Sequence, residues 1–405
     1  MRRTSLLVGA LLLAGAGSLN AQALTMQMSN GWMFSFSGNV NAFMIYQTSK
    51  PCDATGCNGT SAHDFSFGTG LLPAFATFAA TGKEGNVDLG VHFGFAPQVE
   101  FGGHNASYFG TDAAGAQIDM RQVYLTAGGT WGQLLMGKEL GLFQRGNILN
   151  DMTLLGVGVG GGGRGTALGR IGYGYLYTDF RPQLTYSSAS GKPASFAVGL
   201  FEPIRSGPYT VASVPRLEAE LGYNKSNFKF FINGAVQSMK DGFGTGTHSL
   251  TAGGVGGGAV VTFGGLALHA SGFYASGMGF LLMGDGIVGG NNFDNGGTGA
   301  VDADGKASAR TSYGFIGQAT FSPKDSKWMF GGSYGMNQLD RSSEDKTADG
   351  IDSYVLKEDA IVGQITFKWT KSLRWVAEFA HITGHADGAK SSQGDQGSLG
   401  MMLFY

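Results

Sequence analysis

Two histidines near the end of the chain, His381 and His385, are spaced four residues apart, with Asp387 close behind them. On a helix this spacing would place both imidazoles on one face, where they could bind a metal ion. The neighbouring residues alternate between apolar and polar types, which is typical of a strand instead. Strand residues four apart are separated by ~13 Å at ~3.3 Å per residue, too far to share one ion. We therefore expect no metal site here.

Two further stretches resemble ligand-binding motifs without completing them. GVGVGGGGRG (156–165) has the glycine spacing of a dinucleotide fingerprint. It lacks the strand–helix unit with a later acid, and the Lys-Ser/Thr of a phosphate loop. DADGKA (302–307) lacks the remaining ligands and the closing glutamate of a calcium loop. We interpret both as loops and expect no cofactor, while Ser, His and acid groups distant in sequence can still converge in a fold.

The first residues have the pattern of a secretory signal peptide. Two arginines precede an apolar run from Leu6 to about Ala16, and Ala21-Gln22-Ala23 forms a small-x-small cleavage site. We predict a cleaved signal peptide over 1–23 and one mature domain over 24–405. The mature chain has 25 basic and 29 acidic residues, a formal charge of −4. Nucleic acid is not an expected partner because there is no basic field to attract phosphates.

The chain has two cysteines, Cys52 and Cys57, in the stretch KPCDATGCNG. In an exported chain, two cysteines this close together are expected to close a small loop as a disulfide. A metal site held by these two cysteines alone is the alternative.

The mature sequence consists of short alternating segments. Charged residues make up 14% of the chain, against ~25% in soluble domains, and 71 residues are glycine. No apolar run of 18 residues follows the signal, so no transmembrane helix is expected. Sixteen alternating segments occur instead, at 32–46, 63–80, 85–101, 118–128, 131–140, 175–188, 194–201, 216–224, 228–237, 249–263, 266–277, 311–321, 327–337, 359–369, 372–382 and 396–405.

The breaks between these segments are alternately short and long. Seven are tight turns such as TGKE and SPKD, and eight are longer polar stretches. Within 372–382, one parity is apolar (Leu373, Trp375, Ala377, Phe379) and the other carries charge (Arg374, Val376, Glu378, Ala380). This layout predicts an all-β fold, a 16-stranded antiparallel transmembrane β-barrel with short periplasmic turns and long external loops. A barrel of this size holds water or a plug.

The chain ends within a strand pattern, SLGMMLFY, in which Leu399, Met401, Leu403 and Tyr405 share one parity. The last strand must pair with the first, because an open edge in lipid leaves backbone groups unpaired at several kcal/mol each. The ending resembles the assembly signal of Gram-negative outer-membrane proteins. That resemblance implies a bacterial outer-membrane location, with the assembly machinery and membrane lipids as partners.

A family resemblance is carried by IDMRQVYLTAGGTWGQLLMGKELGLF (118–143), which is similar to a strand–turn–strand of general Gram-negative porins. FRPQLTY (180–186) resembles the porin strand that follows the third external loop. The resemblance implies a homotrimer without enzymatic activity, in which each barrel is a water-filled channel for small hydrophilic solutes. It also implies an inward-folded third loop, here about 141–172.

Carried over to this chain, the resemblance implies seven candidates for the pore constriction: Arg121, Lys138, Arg145, Asp151, Arg164, Arg170 and Arg181. Arg121, Lys138 and Arg181 match wall positions, although Lys138 has a trimer contact as its alternative role. The loop carries three arginines and one acid, so we expect a net positive constriction and an anion preference. The alternative for the arginines is that they only keep the wall or an exposed part of the loop hydrated. The alternative for Asp151 is that it caps a short helix.

Four functional hypotheses follow from these patterns. The first is a passive channel for small polar solutes and ions, and the second is a channel selective for one anion bound at the third loop. The third is a barrel enzyme such as a lipase or protease with its site at the outer rim, and the fourth is an adhesive barrel without a pore. Conductance, saturable block by one solute and hydrolytic activity distinguish the four.

Overall fold

A computed structural model describes most of the chain. The described residues are 23–50, 52, 61–99, 118–160, 166–205, 209–240, 249–282, 299–301, 307–342, 345, 355–386 and 390–405. Within them, no helix is long and apolar enough to cross a membrane.

Antiparallel strands make up nearly all of the described structure. They are β1 (Leu24–Gln27), β2 (Met33–Lys50), β3 (Ala62–Gly68), β4 (Phe75–Glu84), β5 (Val87–Pro97), β6 (Ile118–Gly129), β7 (Gly132–Leu140), β8 (Phe180–Ser187), β9 (Ala194–Phe201), β10 (Arg216–Lys225), β11 (Phe228–Lys240), β12 (Ser249–Phe263), β13 (Leu266–Ser276), β14 (Gly299–Val301), β15 (Ala307–Ala309), β16 (Thr311–Phe321), β17 (Trp328–Asp340), β18 (Val355–Lys368), β19 (Leu373–Ala386) and β20 (Ser392–Phe404).

Eighteen of these strands form a single sheet, while β14 and β15 pair separately. Each barrel strand pairs with the next along the chain, and β20 pairs with β2 to close the sheet. Of these eighteen strands, β3 and β4 both lie beside β2 and together make one wall strand, and β1 continues the line of β20 along β2, so the barrel has sixteen wall strands. The predicted strand number and connection order are confirmed.

The first and last described strands meet at the closing seam. Residues 39–50 of β2 pair with β20, and residues 33–36 of the same strand pair with β1. Tyr405 continues the ladder through two backbone hydrogen bonds with Gly38, 3.0 and 3.1 Å long. Its ring lies 5.0 Å from that of Phe36. The chain end is thus held in the sheet, and no unpaired edge remains at the seam.

Side chains alternate between the lipid-facing and lumen-facing sides of the wall, and β6 changes parity at a bulge beside Arg121. On β19, Phe379 is 57% exposed, whereas Val376 and Ala380 of the other parity are 0% and 1% exposed. The large apolar side chains of the exposed parity form the outer surface, including Leu399, Met401 and Leu403. The parity predicted for 372–382 and for the chain end is therefore observed.

The described parts of the third loop, residues 141–160 and 166–179, fold into the barrel. It contains helix α1 (Arg145–Leu149) and a 3₁₀ helix (Met152–Leu155). The predicted strand beginning at 175 is wrong, because β8 starts at Phe180. Residues 175–176 are fully buried instead, and the Tyr175 hydroxyl donates to Asp151 Oδ2 over 2.6 Å.

A second segment also turns inward, at residues 69–74. The sequence predicted one continuous strand over 63–80, but β3 ends at Gly68 and β4 begins at Phe75. The Leu71 and Leu72 N–H groups donate to the carbonyls of Gly156 and Leu154 in the third loop, over 2.8 and 3.2 Å. The wall strand is interrupted because its backbone pairs with the loop rather than with a neighbouring strand.

The third loop and the wall share apolar clusters inside the barrel. One cluster joins loop residues Leu155, Val157 and Ala167 to inward-facing Phe43, Ile45, Val376, Met402 and Phe404. A second joins Met152, Val159 and Tyr173 to Ala360, Val362, Ala380 and Ile382. The barrel interior on the β2 and β18–β20 side is therefore a packed core, which fixes the loop in position.

Candidate pore constriction

Two wall glutamates hold the third loop by its backbone. Glu218 Oε2 accepts hydrogen bonds from the N–H groups of Leu142 and Phe143, over 2.6 and 2.9 Å. Glu378 Oε2 accepts from Val157 and Gly158, over 2.6 and 2.9 Å. The two carboxylates that anchor the loop backbone thus lie on the wall.

Wall amides hold the loop between these two points. Gln318 accepts from Met152 N over 3.0 Å and donates to the Asn150 carbonyl over 2.7 Å. Asn337 accepts from Gly174 N over 3.0 Å, and Gln396 donates to the Gly158 carbonyl over 2.8 Å. The anchoring groups come from β10, β16, β17, β19 and β20, so the loop is fixed around much of the wall.

Arg170, predicted at the constriction, is fully buried in the loop packing. Its guanidinium donates to the Ala360 carbonyl over 2.6 Å and to Ser333 Oγ over 2.8 Å. Burial lowers the pKa of Arg170, while the nearby Asp151 opposes this effect. The structure therefore places Arg170 away from any solute path, as an anchor between the loop and β17–β18.

Asp151, the one acid of the predicted loop, caps the 3₁₀ helix. Its Oδ1 accepts from Thr153 N over 2.8 Å, and its Oδ2 accepts from the Thr153 and Tyr175 hydroxyls. Burial raises the pKa of Asp151, and the hydrogen bonds from Tyr175 and Thr153 act in the opposite direction. The capping alternative is the one that the structure supports.

Three predicted arginines belong to a band of ion pairs across the lumen. Arg121 pairs with Asp119 over 2.8 Å, and Arg145 pairs with Glu220 over 2.6 Å. Arg181 pairs with Asp179, which also binds Arg216. We call this set the charged band: Asp119, Arg121, Arg145, Asp179, Arg181, Arg216, Glu218 and Glu220.

The charged band holds four arginines and four carboxylates, so its formal charge is balanced. This corrects the expected net positive constriction at the described positions. Arg121, Arg145 and Arg181 retain side-chain exposures of 15, 25 and 25%, so water reaches all three. The Arg121 guanidinium also lies 5.5 Å from the centre of the Phe180 ring.

Lys138 does not face the lumen. It shares the parity of Leu134 and Met136, which are 41 and 59% exposed on the outer surface. Its ammonium donates to the Met120 carbonyl over 2.8 Å. This position corrects the expectation that Lys138 lines the constriction. Arg164 lies outside the described residues.

Sequence reasoning did not select the acids of this site. Glu378 occupies the parity that the sequence assigned to charged residues, and Glu218 and Glu220 occupy the inward parity of β10. That parity was the available signal, but it does not indicate that a carboxylate contacts loop backbone. Asp179 is harder to find, because it lies in the part of the loop that was predicted as a strand.

The remaining predicted sites are described only in part. Cys52 is disulfide-bonded, and the only other cysteine in the sequence, Cys57, lies outside the described residues. Asp387 and residues 161–165 and 302–306 of the two motif-like loops also lie outside them.

The two rim histidines have separate partners. His381 Nδ1 lies 2.8 Å from Asp395 Oδ1, and His385 Nε2 lies 3.1 Å from Asp359 Oδ2. The Ser391 hydroxyl lies 2.6 Å from His385 Nδ1. A serine, a histidine and an acid, Ser391, His385 and Asp359, are therefore hydrogen-bonded in series.

Comparisons with known proteins agree with this architecture. The DcaP channel of Acinetobacter baumannii is 14% identical with a TM-score of 0.68, covering 94% of this chain and 99% of that one. An anion-selective porin from Comamonas acidovorans is 15% identical with a TM-score of 0.60, covering 92 and 100%. OmpF of Salmonella typhi, in complex with daunomycin, is 12% identical with a TM-score of 0.57, covering 94 and 100%. These likenesses establish the fold.

The family of the chain is identified from its sequence. No curated protein matches the chain at a significant level. The sequence model described as Gram-negative porin matches residues 8–386. The chain therefore belongs to the Gram-negative porin family.

Proposed function

We propose that this outer-membrane porin lets small hydrophilic solutes and ions diffuse passively through its lumen, with a preference for anions. The observation that carries the proposal is the two-sided interior. Apolar clusters occupy the side of β2 and β18–β20, whereas the side of β5, β6 and β8 has the water-accessible arginines Arg121, Arg145 and Arg181 beside inward-facing polar side chains: His92, Gln122, Thr126, Gln183 and Thr185. A polar wall beside a charged band favours hydrated solutes over apolar ones.

Single-channel conductance in a planar bilayer tests this proposal directly. Stepwise insertions that carry current in a potassium chloride gradient are expected, with a reversal potential of the sign given by anion flow. Stably inserted protein that carries no current would contradict the channel, and a cation-selective reversal potential would contradict the anion preference alone.

The protein is further proposed to form a homotrimer that contacts outer-membrane lipids through its exposed apolar side chains. We infer that the assembly machinery binds the last strand through Leu399, Met401, Leu403 and Tyr405, whose parity faces outward. Three equal closing levels in each insertion would support the trimer. Single-level closures would oppose it.

A barrel hydrolase is the second candidate function, favoured by the series Ser391–His385–Asp359. In this order a hydroxyl nucleophile contacts a base that an acid orients, as in serine hydrolases. The three residues have the outward parity of β18–β20 near the external rim, where a lipid ester could reach them. Purified protein is tested on phospholipid and p-nitrophenyl esters, beside the Ser391→Ala variant. Activity lost in that variant would support the hydrolase, and absence of activity in the wild type would reject it.

A further inference from the structure

Arg374 is an inward-facing guanidinium without a polar partner. It is 6% exposed, and its Nε is buried without a hydrogen bond. Within the described residues, no ion pair or hydrogen bond involves its side chain. The guanidinium carbon makes a cation–π contact with Phe404, 4.9 Å from the centre of the ring. Burying a charge without a partner costs free energy, so such a group is a candidate for binding an anion.

Two further side chains adjoin Arg374 on the lumen face. Lys368 is directly opposite it in the register of β18 and β19, and is exposed. Thr366 lies two residues before Lys368 on β18 and faces the same side of the wall. Its hydroxyl is buried without a hydrogen bond. Two cations and a hydroxyl thus lie together with no carboxylate bound to them among the described residues.

The position of this group along the channel follows from the turn beside it. Lys368 ends β18 and Leu373 begins β19, so residues 369–372 form one of the short turns. Short turns lie on the periplasmic side of outer-membrane barrels. The next two inward-facing residues of β19 after Arg374 are Val376 and Glu378, and both contact the third loop. Arg374 therefore lies between the third loop and the periplasmic mouth.

The arginines of the charged band and the third loop differ from Arg374. Arg121, Arg145, Arg181 and Arg216 bind carboxylates, and Arg170 binds carbonyl and hydroxyl oxygens. Stacking on Phe404 restricts the plane of the Arg374 guanidinium. An oriented fork of N–H donors matches the two oxygens of a carboxylate or phosphate group.

We propose that Arg374, Lys368 and Thr366 form a binding site for an oxyanion group at the periplasmic mouth of the channel. The site takes the carboxylate or phosphate of a small solute that has passed the third loop. The proposal rests on the proposed channel function and adds a saturable step to it. It locates the anion preference at the inner mouth instead of at the loop arginines.

The test is block of chloride current by inorganic phosphate and, separately, by succinate, each added on the side of the short turns. Wild type, Arg374→Gln and Lys368→Gln are compared with Lys371→Gln, which removes the same charge from the adjoining turn. Charge-assisted hydrogen bonds contribute ~1.5–3 kcal/mol, so the half-blocking concentration is expected to rise about tenfold or more in Arg374→Gln. Lys371→Gln should match the wild type, and the probe that blocks at the lower concentration identifies the preferred oxyanion.

Each outcome decides one claim. A conducting wild type with saturable block that is weakened in Arg374→Gln supports the site. A conducting wild type with no saturable block, or with block unchanged in both Arg374→Gln and Lys368→Gln, overturns the site and leaves the channel standing. A wild type that carries no current overturns both. If Arg374→Gln does not fold, as judged by its mobility on an unheated gel, Lys368→Gln alone gives the answer.

Discussion

The charged band and the periplasmic mouth of this porin use the same residue types in opposite ways. In the band, every arginine is bound to a carboxylate, and the charges balance. At the mouth, Arg374 is nearly as buried as Arg216, yet no carboxylate binds it among the described residues. The number of cations therefore does not predict the electrostatic field that a solute meets, because an arginine paired with a carboxylate contributes little to that field.

The largest expected effect comes from unpairing the band. Asp179→Asn leaves Arg181 without its carboxylate and Arg216 with Glu218 alone, which gives the band a net positive charge. Removing one partner of a buried ion pair costs ~3–5 kcal/mol. We expect a lower temperature for loss of compact gel mobility, together with a reversal potential shifted toward anions. Asp119→Asn, at the more exposed Arg121 pair, is the control with a smaller effect. A reversal potential unchanged by Asp179→Asn would contradict the pairing argument.

A variant of Arg170 tests whether a hydrogen-bonded arginine contributes only to the packing of the loop and not to ion selectivity. Arg170→Leu leaves the Ala360 carbonyl without its 2.6 Å donor inside an apolar cluster. An unsatisfied buried group costs ~1–3 kcal/mol, so heat resistance should fall while ion selectivity stays the same. The exposed Arg205→Leu serves as the control. A change in selectivity without a change in heat resistance would place Arg170 on the solute path.

The Lys368→Glu variant is designed to create an arginine–carboxylate pair at the mouth, like the pairs of the charged band. The new carboxylate would lie opposite Arg374 in the register and pair with it. We expect the phosphate block to weaken more than in Lys368→Gln, by about another tenfold, which corresponds to ~1.4 kcal/mol. The two variants are compared by half-blocking concentration at one salt concentration. Equal block in both would show that Arg374 is not available to a carboxylate.

The smallest expected effect concerns Asp151. Burial raises its pKa above the ordinary value, so the folded loop binds a proton more tightly than the unfolded chain does. Stability of the loop packing should therefore rise as the pH falls through the raised pKa and level off below the ordinary one. Heat resistance measured between pH 7 and pH 4 reports this, and Asp151→Asn should remove that part of the pH dependence. A dependence that persists in Asp151→Asn would assign it to other groups.

Prediction from sequence succeeded where the signal is local. The alternation of Leu373 to Ala380 and the length of the turns were sufficient for strand number, order and facing, because a lipid-facing wall requires period two. Prediction failed at 69–74 and 175–179, where backbone that reads as strand pairs with the third loop instead. For Lys138 the sequence left two roles open, and the outward parity of this residue fits the alternative of a trimer contact and not the pore constriction.

The amino-acid sequence by itself determined the closed barrel, since every lipid-exposed edge must be paired and every outward position must be apolar. Only the tertiary structure decided which charges remain unpaired. Arg145 and Glu220 are 75 residues apart, as are Phe143 and Glu218, and their contacts depend on how the third loop lies across the lumen. Arg374 differs from them because no loop carboxylate reaches it among the described residues. Pairing is a long-range property, whereas parity is a local one.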